Sequence, residues 1–121
     1  MLTSIKNVVS RGIPKEGKTE TDEIIKRLKS HPGIYGIIIS NKEGIPIRST
    51  LDNSTTVHYC GLIQKLLKKS IKAVSELEPA NELTLLRIRS KKYEIIVSPK
   101  RDLRLIVIQR ADFGGASVIA K

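Results

Sequence analysis

The 121-residue sequence predicts an α+β domain, a two-layer α/β arrangement of helices on a five-stranded, mostly antiparallel sheet. Three observations lead there. The periodic segments run helix, strand, strand, helix, strand, strand, strand. Two short stretches, "IYGIIIS" (34–40) and "LIVI" (105–108), are apolar throughout, the pattern of strands covered on both faces. Between them, "LDNSTTVHYCGLIQKLLKKSIKAVSELEP" keeps a helical apolar period over more than twenty residues.

The elements are justified in chain order. Residues 1–18 show no period and are expected to form a mobile basic arm, followed by a domain over 19–109 and a flexible tail over 110–121. "TETDEIIKRLKS" carries a helix start, with Thr19 or Thr21 as cap and Glu20, Asp22 and Glu23 in the first turn. Ile24, Ile25 and Leu28 make its apolar face, and "HPG" stops it. After the first strand, Asn41–Gly44 turns, with Gly44 free to take positive φ. The return strand "IPIRST" places Ile45 and Ile47 on one side and Pro46 and Arg48 on the other. Proline cannot donate to a ladder, so this strand should be a sheet edge.

The long helix starts in the cap cluster Asp52–Thr56 and ends before Pro79. It carries two adjoining apolar stripes. One is Cys60, Ile63, Leu67, Ile71 and Val74; the other is Tyr59, Leu62, Leu66, Ala73 and Leu77. One stripe suffices for a helix lying on a sheet, so the second predicts a contact beyond it. Gly61 costs about 1 kcal/mol against alanine inside a helix, which a close helix–helix approach would explain. A strand is expected over Glu82–Ser90, with Leu83 and Leu85 sharing a face with Arg87 and Arg89, and Leu86 and Ile88 opposite. "SKKY" turns, "EIIVS" returns, "PKRD" turns again, and "LRLIVIQ" is the central strand.

Composition limits the function. A net charge of +10 favours acidic partners. Residues 19–109 keep sixteen bases against ten acids, so the charge is not confined to the ends. Four aromatics and no aromatic-rich strand make nucleic acid an unlikely partner. The single Cys60 rules out an internal disulfide framework and fits a reducing compartment. No stretch of about 18 apolar residues predicts a membrane span, and the first residues lack the apolar core of a secretory signal. His31 and His58 stand without a serine, cysteine or carboxylate pattern around them, and there is no phosphate-cradling glycine loop and no metal-ligand spacing. The reading is therefore no catalysis, no cofactor and no metal. Lys65, Lys68, Lys69 and Lys72 form a stripe on the polar side of the long helix, either a solvated face or a partner-binding surface. Arg89, Lys91, Lys92, Lys100 and Arg101 add basic turns.

"GIIISNKEGIPIRSTLDNSTT" before the long helix, with "LTLLRIRSKKYEIIVSPKRDLRLIVIQ" after it, resembles the Roadblock (LC7) family of dynein light chains over residues 19–109. The EGIPI segment together with the TLLRIRSKK strand and turn carries the likeness. The resemblance implies a profilin- or longin-like fold with strand order second, first, fifth, fourth, third. It implies a homodimer, or a heterodimer with a paralogue, in which third strands pair and long helices pack antiparallel. The interface would then include Tyr59, Leu62, Leu66, Ala73, Leu83, Leu85, Leu86, Arg87, Ile88 and Arg89. The implied partner is the dynein intermediate chain, and the implied location is the cytoplasm and microtubule cytoskeleton, axoneme included. The alternative that the family offers is a regulator or scaffold of a small Ras-like GTPase. The basic arm, the high charge and the glycine-rich tail depart from the family pattern and bear on the partner more than on the fold.

Overall fold

The structure, a computed structural model, describes residues 18–100 and 102–111. The expected arm and tail, and Arg101 of the basic turns, lie outside these residues, apart from Lys18, Arg110 and Ala111. The elements are α1 (Lys18–Lys29), β1 (Ile34–Asn41), β2 (Pro46–Ser49), α2 (Asn53–Leu77), β3 (Leu86–Arg89), β4 (Tyr93–Pro99) and β5 (Leu103–Arg110). They form one antiparallel sheet in the order β2-β1-β5-β4-β3. α1 already begins at Lys18, so Thr19 and Thr21, expected as caps, are its second and fourth residues. β5 continues through Arg110, and the Ala111 N–H reaches the Lys92 carbonyl at 2.9 Å, so the domain closes two residues beyond its expected end.

The core is organised by the alternation of the central strands. Ile37 and Ile39 of β1, Ile96 of β4, and Leu105 and Val107 of β5 face one side, where Leu28 of α1 covers them. Ile38, Val97, Ile106 and Ile108 face the other, where Cys60, Ile63 and Leu67 of α2 cover them. Both faces are apolar, so both need a helix. The result is three layers, with α1 and α2 on opposite sides, in place of the expected two. In β1 and β5 the pairs Ile37↔Val107, Ile38↔Ile106 and Ile39↔Leu105 are at most 2% exposed, which confirms both strands as central.

β2 is an edge, as Pro46 predicts. Its turn is closed by the Asn41 side chain, whose Oδ1 accepts from the N–H groups of Glu43 at 3.0 Å and Ile45 at 2.9 Å. Gly44 takes φ +88°, and the Gln64 side chain lies 3.2 Å from where a Cβ would stand. α2 is tied to this side of the sheet by two contacts. Ser49 and Thr56 hydroxyls meet at 2.6 Å, and Gln64 donates to the Lys42 carbonyl at 2.6 Å. Asp52 caps α2 by accepting from the Thr55 N–H at 2.8 Å. The Thr55 side chain and backbone hold its carboxyl below the usual range.

β3 is shorter than the strand expected over Glu82–Ser90. Its ladder with β4 begins at Leu86↔Val97. Continued in register, Thr84 would stand opposite Pro99, which has no N–H to give, so pairing stops. Freed from strand alternation, Leu83 packs on the α2 side and Leu85 on the α1 side, correcting the expectation that they share a face.

Gly36 sits where β1 passes under Leu51, and a Cβ there would meet Leu51 side-chain carbons at 2.7 Å. Substitution Gly36→Ala should cost about 1–3 kcal/mol through overpacking, read as a lower urea midpoint at unchanged slope.

Candidate functional site

Among the described residues no three His, Cys, Asp or Glu side chains converge in a way that could hold a metal, and no helix is long and apolar enough to cross a membrane. The chemistry of the surface lies instead in α2 and the β3 edge. A 25-residue helix spans about 37 Å, whereas an eight-residue strand spans about 27 Å, so α2 overhangs the sheet that it covers. Its buried residues are Thr56, Cys60, Ile63 and Leu67, all in its first fifteen positions. Burial pushes the Cys60 thiol up, away from the reactive thiolate. Ile71, expected on the buried stripe, is exposed because it lies on the overhang.

The second stripe is open to solvent. Leu62 is 54% exposed, Leu66 39% and Leu77 87%, and Ala73 is exposed with them. Tyr59 is the exception: it is half-buried against the α2-side core. Gly61 has nothing within 4 Å of a built Cβ, so no close approach inside this chain requires it. Lys65, Lys68, Lys69 and Lys72 are all exposed beside this stripe. Glu76 reaches Lys72 at 4.0 Å, an exposed pair of little energetic weight.

The β3 edge carries a feature that sequence reasoning missed. Arg87, expected at an interface, turns onto the α1 side of the sheet. Its Nε and Nη2 donate to the two carboxylate oxygens of Glu94 at 2.7 and 3.0 Å. Gln109 of β5 donates to the same carboxylate at 2.6 Å. Glu94 is 2% exposed, so this is a buried carboxylate with three charge-assisted or polar donors. Burial pulls its pKa up. The hydrogen bonds from Arg87 and Gln109, with the charges of Arg87 and Arg89, outweigh that and hold it below the ordinary value. β3, β4 and β5 are thereby joined by side chains as well as by backbone. The signal in the sequence is a lone acid in an otherwise apolar strand, "YEIIVS", but its partners lie seven and fifteen residues away.

The described residues thus carry an exposed apolar face on α2 and, at β3, a sheet edge without proline. Residues 20–110 match the Roadblock/LC7 domain model. The chain belongs to the Roadblock/LC7 family. The fold is similar to a Roadblock/LC7 domain from Streptomyces avermitilis, at 14% identity and TM-score 0.67, covering 74% of this chain and 77% of that one. It is similar to Myxococcus xanthus MglB at 18% identity and TM-score 0.69, covering 82% of each chain. A further MglB structure, described as having a tetrameric arrangement, aligns at 8% identity and TM-score 0.70, over 89% of this chain and 85% of that one. At these identities the likeness concerns the fold.

The Glu94 cluster yields a pH test. A depressed folded-state pKa means stability that is present above the unfolded value of about 4.3 and lost as pH falls through the folded value. Arg87→Met leaves the carboxylate buried without its cation and should cost about 3 kcal/mol or more at pH 7. Urea titrations should show the gap to the unsubstituted protein narrowing as pH drops below 4.

Proposed function

We propose that this protein is a non-catalytic, homodimeric scaffold or regulator of a small Ras-like GTPase. The observations that carry the reading are the exposed stripe Leu62, Leu66, Ala73 and Leu77 on α2 and, separately, a β3 edge that no proline blunts. A second copy would cover both: β3 pairs with β3, extending the sheet across two subunits, and the α2 helices pack antiparallel. Leu86, Ile88 and Arg89 would lie along that edge, with Leu83 and Leu85 at its approach. Arg87 would act from behind it, through Glu94, by holding the edge in place. Gly61 is open for a neighbouring helix to approach. The tetrameric arrangement described for one MglB structure is in keeping with a surface that invites self-association.

What favours the GTPase class over a dynein light chain is the company of the fold. The solved structures resembling it include bacterial Roadblock domains and MglB, described from Thermus thermophilus as a gliding protein. Family members are in general adaptors or regulators rather than catalysts. The dynein reading rests on the EGIPI and TLLRIRSKK segments and predicts a different partner, the intermediate chain. Affinity purification of the tagged protein at near-physiological salt, with identification of what is retained, separates the two. Recovery of a Ras-like GTPase supports the proposal. Recovery of dynein intermediate chains without a GTPase rejects it.

Two outcomes test the surface itself. Leu66→Lys should raise the dimer dissociation constant at least about 10-fold, corresponding to about 1.4 kcal/mol, with little change in the fold by circular dichroism. A wild-type protein that stays monomeric at micromolar concentration in light scattering removes the basis of the dimer. The lysines Lys65, Lys68, Lys69 and Lys72 would then steer an acidic partner surface toward the helix pair. Replacing all four by glutamine should leave melting nearly unchanged but weaken partner binding and flatten its salt dependence.

A further inference from the structure

α2 carries its charge on one side. Lys65, Lys68, Lys69 and Lys72 follow the spacing of a single helix face, and all four are exposed. The residues that α2 buries, Thr56, Cys60, Ile63 and Leu67, turn to the sheet, so the lysine row lies on the outward side. Along the 25 residues of α2 the one acid is Glu76, 4.0 Å from Lys72. Among the described residues no carboxylate pairs with Lys65, Lys68 or Lys69. Lys65 with Lys69, and Lys68 with Lys72, are like charges four residues apart, an arrangement that destabilises a free helix. An external negative surface relieves that repulsion.

The shape and chemistry of the row narrow the choice of surface. An ammonium group is a point charge on a flexible stem, without the fork by which arginine fixes one carboxylate or phosphate. The one aromatic of α2, Tyr59, packs on the core, so no ring in the row offers a platform for a base. In the dimer proposed above, the sheet runs on through both copies. Both α2 helices then lie on the same side of it, and their lysine rows stand side by side. Two packed helices make a face about 20 Å across. That is too wide for the major groove of a duplex, about 12 Å.

We propose that the outward face of α2 docks on a bilayer carrying anionic lipid headgroups, with Lys65, Lys68, Lys69 and Lys72 of both copies in the headgroup layer and no segment inserted. A bilayer offers many negative charges in one plane, free to move laterally beneath a rigid row of cations. An acidic peptide needs a groove or a fork to fix it, and a convex row of lysines gives neither. Each lysine near such a surface strengthens adhesion about five-fold, over a range of about 8 Å at physiological salt. One row therefore holds weakly and two rows hold firmly. The inference rests on the dimer of the proposed function and not on its GTPase; it names the acidic surface that the lysines face.

The test is flotation of the full-length protein with vesicles of phosphatidylcholine, alone or with roughly one-third phosphatidylserine, at about 150 mM salt. Binding is expected to the mixed vesicles only, and to be lost at about 500 mM salt. Replacing the four lysines by glutamine should weaken it at least about 20-fold, with melting and dimer unchanged, whereas replacing them by arginine should keep it. Leu66→Gln, which loosens the dimer and adds no charge, should weaken it at least about five-fold. Three results would each overturn the lipid face. One is equal binding to neutral vesicles. Another is a glutamine variant that floats as the parent does, which places adhesion on the basic arm. The third is displacement from the vesicles by an oligoglutamate peptide or a short DNA duplex at equal charge concentration. Light scattering separates the two readings. A dimer that does not float rejects the lipid face alone, and a monomer that floats through its lysines rejects the dimer alone.

Discussion

The β1–β5 ladder is the constraint on which the rest of the domain depends. Seven register pairs join two strands that are apolar on both faces, and the residues at their centre are completely buried. Water has no access to those backbone groups, so each must be paired within the ladder. Apolar side chains on both faces then require two covers, which fixes α1 and α2 on opposite sides. β2 and β4 extend the sheet outward from this pair, and β3 follows β4. Once the centre is set, the only freedom left is at the two edges.

The edges are treated differently by the chain. β2 is blunted by Pro46, and its turn is sealed by the Asn41 carboxamide, so little donor capacity faces outward. At the other side β3 has four residues, no proline, and a buried anchor in the Arg87–Glu94 pair. A short strand held only by one ladder would fray. The bidentate contact, itself steadied by Gln109, couples it to the centre through side chains. α2 adds to the asymmetry: Leu62 and Leu66 lie on its face turned away from the sheet and Leu77 on the overhang, so all three are exposed.

What the sequence by itself determined is the set of elements and the family. Periods of 2 and 3.6, Pro46, Gly44, the Asp52 cap and the two α2 stripes are local signals, each readable within a dozen residues. They gave the number and order of the strands, the edge character of β2 and the surplus face of α2. The Roadblock segments then supplied the strand order, which no local pattern contains. Tertiary structure decided the rest, for one physical reason: it depends on which distant residues face each other. Thr84 could not be known to lie opposite Pro99, so β3 was expected too long and Leu83 and Leu85 were placed on one face. Glu94 is a lone acid in an apolar strand, and only the sheet brings Arg87 and Gln109 to it from neighbouring strands. The tyrosines at 35, 59 and 93 are isolated in the chain and meet only because β1 and β4 flank β5 while the start of α2 crosses the same end of the sheet.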